Sequence, residues 1–168
     1  LTLAELDSEI GRLQHTAKKL PQHARIAELM KNRQAVTDDL VAVTTRVGDL
    51  ELSVRRAESD LVPVRTRLDR ESRRVEDGSV TDPKVLRGLM EEVERIKRRI
   101  TELEDAELDL MEQLEEATAE RDELATGKKD VEETLRAEVA VRDAEVGKLS
   151  TEAKAIASSR ASEAEKVP

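Results

Sequence analysis

The chain of 168 residues contains no cysteine, phenylalanine, tyrosine or tryptophan, and only six glycines, four prolines and two histidines. Each shortage removes a class of protein. Without cysteine there is no disulfide and no thiolate zinc site within these residues, which fits a reducing compartment. Without aromatics the chain lacks both the bulk that normally fills a compact core and any ring on which a nucleobase can stack. His15 and His23 stand eight residues apart and make no i, i+4 metal-binding face. No Gly-rich phosphate loop, G-x-S-x-G elbow or Cys/His nucleophile pair is present. Carboxylates are abundant, but on an exposed rod they are solvated and not tuned for acid–base work. A non-enzymatic chain is expected, with no catalytic, cofactor-binding or metal-binding residue in this segment. No apolar run approaches the ~20 residues of a membrane span and no signal-peptide pattern opens the chain. A cytoplasmic location away from membranes is therefore expected. The first residue is Leu1 and not Met, from which an excised or processed piece is expected.

Charge and periodicity fill the space left by these absences. Four residues in ten are charged, and Ala, Glu, Leu and Arg dominate, the composition of long helices. Two apolar ladders run through the chain in alternating steps of three and four. The first begins Ile26, Leu29, Arg33, Val36, Leu40, Val43, Val47, Leu50 and continues through Val54, Ala57, Leu61, Val64, Leu68, Glu71 and Val75. The second begins Leu86, Leu89, Val93, Ile96, Ile100, Leu103 and continues through Glu107, Leu110, Leu114, Ala117, Arg121, Leu124, Lys128, Val131 and Leu135. This 3.5-residue repeat is the seam of a coiled coil.

Between the ladders lies Asp77-Gly78-Ser79-Val80-Thr81-Asp82-Pro83, the strong breaker cluster that separates them. Gly78 suits a left-handed helix end, Thr81 or Asp82 can cap the next helix, and Pro83 suits its first turn. If the chain reverses there, facing core residues should have numbers with a constant total. Val75 with Leu86, Leu68 with Val93, Leu61 with Ile100, and Ile26 with Leu135 each total 161. Antiparallel pairing within one chain requires this, and a parallel dimer does not.

The irregularities match as well. Leu3, Leu6, Ile10, Leu13, Ala17 and Leu20 form an earlier ladder, broken at Leu20-Pro21, since proline lacks an N–H and clashes with the preceding turn. On the other arm the step from Leu135 to Val139 is a stutter, after which Arg142, Val146, Leu149, Ala153 and Ile156 resume the ladder. Pairing Leu13 with Val146 and Leu20 with Val139 gives a new total of 159. The expected fold is all-α: a long antiparallel coiled-coil helical hairpin over residues 1–168. Its parts are a short helix over 1–20, a long helix over 22–77, a turn at 78–83, a second long helix over 83–160 and a frayed tail at 161–168. Pro63 falls inside the first long helix and should distort it.

Several seam positions are polar: Arg33, Glu71, Glu107, Arg121 and Lys128. Such residues fix register at some cost in stability, or reach out to water. Arg33 opposite Lys128 should make a weak layer. Charge is also uneven. Residues 61–99 hold eleven Lys/Arg against eight Asp/Glu, whereas residues 100–123 hold eleven acids and one Arg. Two candidate sites follow. The turn residues Gly78, Ser79, Val80, Thr81, Asp82, Pro83 and Lys84 have no pairing duty and form a candidate protein-docking tip. Arg65, Arg70, Arg73, Arg74, Arg87, Arg98 and Arg99 flank the turn as candidate phosphate contacts, which would bind nucleic acid in a salt-dependent, sequence-blind way.

The stretch Val75-Glu76-Asp77-Gly78-Ser79-Val80-Thr81-Asp82-Pro83-Lys84, with Leu103 to Ala117 and the opening Leu6-Asp7-Ser8-Glu9-Ile10 before Leu20-Pro21, resembles the bacterial C4-type zinc-ribbon coiled-coil family. The wording is similar to the actinobacterial branch, mycobacteria included. The resemblance covers nearly the whole chain, and Gly78-x-Val80-x-x-Pro83-Lys84 is its most specific part. It implies a coiled-coil hairpin followed by a zinc ribbon held by two Cys-x-x-Cys pairs, which would lie beyond residue 168. It also implies a non-catalytic adaptor, since relatives bind a sigma factor, secretion chaperones or messenger RNA.

The leading expectation is thus an adaptor that presents protein-binding ends, the tip and the ribbon, to an unspecified protein partner. Two alternatives stand beside it. One is a nucleic-acid-binding protein using the arginine-rich end, the ribbon or both. The other is a self-associating structural coiled coil, seeded by surplus apolar residues at Val41, Val62 and Val141, as a monomeric hairpin or weak homodimer.

Overall fold

The computed structural model describes residues 2–165, and its elements are α1 (Leu3–Lys18), α2 (Pro21–Glu76) and α3 (Pro83–Ala164). There is no strand among the described residues, and α2 and α3 form a coiled-coil hairpin. Every position of the predicted ladders is buried or half-buried, the polar seam residues included. The helices form because apolar residues recur at seam spacing while the remaining positions are charged and solvated.

The contacts within the chain divide it into two units, Leu1–Asp38 with Leu124–Pro168, and Asp39–Glu123. Their boundary lies at 38/39 and 123/124, away from the break at Pro21. In the first unit, α1 opens with a capping box: Thr2 Oγ1 accepts from Glu5 N–H (3.3 Å) and Glu5 Oε2 accepts from Thr2 N–H (2.7 Å). These bonds hold the Glu5 carboxyl below its ordinary value. Lys19 N–H closes the other end onto His15 and Thr16 carbonyls, and α2 restarts with Pro21 in its first position. The His23 ring nitrogen Nε2 lies 3.0 Å from the Ala17 carbonyl, bridging the break. Leu6, Leu13 and Ile26 are the buried core of this unit. Ile10, Leu13 and Ala17 line one groove with Val146, Leu149 and Ala153, the neighbours expected from the second register.

Helix α3 runs four residues past the expected limit of 160. Arg160 pairs with both oxygens of Asp7 on α1 and lowers that carboxyl, while Ser162 Oγ donates to the Ser158 carbonyl. Of the tail expected over 161–168, residues 161–164 are helical, and residues 166–168 lie outside the described residues.

The second unit holds the turn. Leu61, Ile96 and Ile100 form its tightest cluster, with Val64, Leu68 and Leu103 packed against them. That cluster brings Leu61 to Ile100, as the constant total requires, with Val64 packed against it. Val43, Val47, Val93 and Ala117 are buried as well. Helix α2 continues through Pro63 up to Glu76. The ring removes the donor that would reach the Ser59 carbonyl.

Candidate functional site

The reversal at 77–82 is built from side-chain caps. Gly78 has φ of 70°, the left-handed conformation that ends α2. The Asp77 carboxylate accepts from the Ser79 N–H (2.9 Å), and bonds from Ser79 hold Asp77 below the usual aspartate range. Asp82 is the cap of α3: its Oδ1 accepts from Lys84 N–H (2.8 Å) and Val85 N–H (3.3 Å), and Pro83 is the first helical residue. Of the two capping candidates in the sequence, the structure selects Asp82. Gly78, Ser79, Thr81, Asp82, Pro83 and Lys84 are exposed, and Val80 is half-buried. The tip is therefore a largely polar surface in which Asp77 and Asp82 cap the Ser79, Lys84 and Val85 N–H groups.

The arginines around it divide into two groups. Arg65 pairs across the seam with Glu104 (2.7 Å) and Arg99 along α3 with Glu102 (3.1 Å). Arg70 and Arg74 both bind Glu71, at 2.9 and 2.8 Å. Arg73, Arg87 and Arg98 form no ion pair among the described residues, although Arg98 adds its field to the Lys97 bond that lowers Glu94. Phosphate binding by the first four would require breaking existing pairs, while the last three have their guanidinium donors open.

Glu71 shows how a seam carboxylate is tolerated. It is 6% exposed, yet two guanidinium groups bond its oxygens. The Arg70 bond is the main cause of its lowered pKa, burial opposes it, and Arg74 assists. Sequence reading identified Glu71 as a polar seam residue but not this clamp. The signal was present as acid at i with Arg at i−1 and i+3. Arg33 and Lys128 are half-buried, and neither forms an ion pair among the described residues.

Among the described residues no group of three or more His, Cys, Asp or Glu side chains is arranged to hold a metal ion, and no helix is long and apolar enough to cross a membrane.

An all-α hairpin with a capped Gly/Pro turn defines a coiled-coil hairpin domain. Residues 3–168 match the CT398-like coiled coil hairpin domain, and the chain belongs to that family. The uncharacterized protein Rv2229c of Mycobacterium tuberculosis is 37% identical over 110 residues, covering 66% of this chain and 44% of that protein. The uncharacterized protein ML1638 of Mycobacterium leprae is 34% identical over 104 residues, 62% of this chain and again 44% of the relative. The match thus spans less than half the length of these curated relatives. A solved structure from Mycobacterium smegmatis superposes over all of this chain and 69% of its own, with a TM-score of 0.81 and 31% identity.

Proposed function

We propose that this chain is the coiled-coil part of a non-enzymatic cytoplasmic adaptor, in which the turn at residues 78–84 docks a protein partner. The observation that carries the reading is the turn itself. Its backbone is held by Asp77, Asp82 and the Gly78 φ, Ser79 Oγ donates to the Arg74 carbonyl of α2 (3.5 Å), and Thr81, Pro83 and Lys84 are exposed. A turn restrained by such caps loses less conformational entropy on binding than a free loop. The zinc ribbon implied by the family resemblance would be a second binding head. This chain contains no cysteine, so that zinc has no ligands among these residues. Zinc content of the protein expressed from its native gene tests that half: about one bound zinc per chain is expected, and none would remove the ribbon from the reading.

The tip is tested by affinity capture from the native host, comparing the wild-type chain with one whose residues 78–84 are replaced by a neutral hairpin turn. A defined partner lost on replacement, and kept by a Leu52→Ser control on the shaft, is the expected result. The same partners on both baits would refute tip docking. A second reading, phosphate contact, is favoured by the unpaired Arg73, Arg87 and Arg98. It predicts low-salt binding of a labelled single-stranded RNA that falls steeply with salt and is lost in the triple alanine variant.

A further inference from the structure

In the unit of residues 39–123 both flanks of the seam carry cross-seam ion pairs, but one of them also gathers exposed apolar side chains. Counting heptads with Leu61 and Ile100 as a-type positions places Arg46, Arg67, Glu92, Arg99 and Glu120 at g positions, on one flank. That flank is laced by Arg46–Glu120 (3.5 Å) and Arg67–Glu92 (2.6 Å) across the seam. The opposite flank is made of b and e positions. It carries Val41, Val62, Met90, Leu108 and Met111, each about half exposed or more. Isolated apolar residues on a surface need no explanation, but five on one flank do.

The flank opens into a groove where Val54 of α2 meets Leu108, Met111 and Leu114 of α3. Its walls are acidic. Glu112 and Glu115 line the groove and form no ion pair among the described residues, nor do Asp105, Asp109 and Glu116 on the same stretch of α3. On α2 the b and e positions at this height are Glu51, Arg55 and Glu58, so one arginine faces a large acidic excess. Arg65, toward the turn on this flank, is already taken by Glu104.

We propose that this groove docks an amphipathic helix from another protein, with an apolar stripe seated on Leu108 and Met111 and flanking Lys/Arg on the acidic walls. Leu108 and Met111 are three residues apart on one helical face, the spacing that meets the i, i+3, i+4 anchors of a partner helix. Methionine adapts its shape to varied anchors. The charge decides the occupant: a second copy of this chain brings a net −9, whereas a basic helix brings the missing counter-charge. The groove lies apart from the turn at 78–84, so the two surfaces fail independently.

The test titrates the full chain into a fluorescein-labelled synthetic helix of Leu and Lys, its leucines in one stripe, and reads anisotropy. The controls are a scrambled peptide of the same composition and a striped peptide with Glu in place of Lys. The striped basic helix should bind, the other two at least ~10-fold more weakly. Leu108→Ser with Met111→Ser should weaken binding ~10-fold or more while circular dichroism stays unchanged, because both side chains are solvent-facing. Glu112→Gln with Glu115→Gln should flatten the salt dependence. Replacement of the turn should leave binding intact. Equal binding of the scrambled peptide, or no effect of the double serine variant, would overturn the proposal. So would a dimer in sedimentation velocity that the double serine variant dissociates, because the occupant would then be a second copy.

Discussion

Replacing Leu61 by alanine isolates the contribution of the seam near the turn. Leu61 is 1% exposed and sits against Ile96 and Ile100, with Val64, Leu68 and Leu103 around it. The substitution removes three carbon groups, about 2.4 kcal/mol at ~0.8 kcal/mol each. A cavity adds to this where neighbours cannot collapse, which puts buried Leu→Ala changes at about 2–5 kcal/mol. A two-helix layer is open on both flanks, so Ile96 and Ile100 can relax toward the gap and the loss should be about 3 kcal/mol. With a urea slope of about 2 kcal/mol per M, the unfolding midpoint falls by about 1.5 M. Leu52, 58% exposed, is the control and should cost about 0.5 kcal/mol or less on truncation. The absence of aromatics rules out intrinsic fluorescence, so the assay is far-ultraviolet circular dichroism with urea. If Leu61→Ala and Leu52→Ala unfold at the same urea concentration, the seam does not carry the stability of this unit and the packing argument fails.

Four further outcomes can be checked on the same material. Gly78→Ala should destabilise by about 1–2 kcal/mol in urea unfolding, because φ is 70° and no atom lies within 4 Å of the added Cβ, so the cost is purely conformational. Gly48→Ala, in the interior of α2 and equally unobstructed, should stabilise by about 0.5–1 kcal/mol. Asp82→Ala should lower stability by about 1 kcal/mol through loss of the α3 cap, read by thermal unfolding. For Glu71 the folded pKa lies below the ordinary 4.5, so its stabilising contribution is present above pH 4.5 and is lost as pH falls through the folded value. The wild type should therefore weaken on acidification in that range, and Glu71→Gln should show a shallower pH slope; equal slopes would contradict the clamp by Arg70 and Arg74.

The seam was fully legible because it is a one-dimensional signal. Apolar residues at steps of three and four lie on one helical face whatever surrounds them, and Ile26 through Leu135 are accordingly buried or half-buried throughout. The turn was legible for the same kind of reason, since Gly78 and Pro83 are constrained by their own covalent geometry. Even the register could be read, because a reversal at one point forces Leu61 to meet Ile100. Tertiary structure alone decided how the polar residues are used. Arg65 and Arg73 are both turn-flanking arginines, yet Arg65 bonds Glu104 while Arg73 pairs with nothing among the described residues. Likewise Arg160 of α3 bonds Asp7, 153 residues earlier in sequence. A long flexible side chain finds its partner from the rotamers and neighbours that the folded helices supply, so ion pairs, open donors and the acidic groove beside Leu108 exist only once α2 and α3 lie side by side.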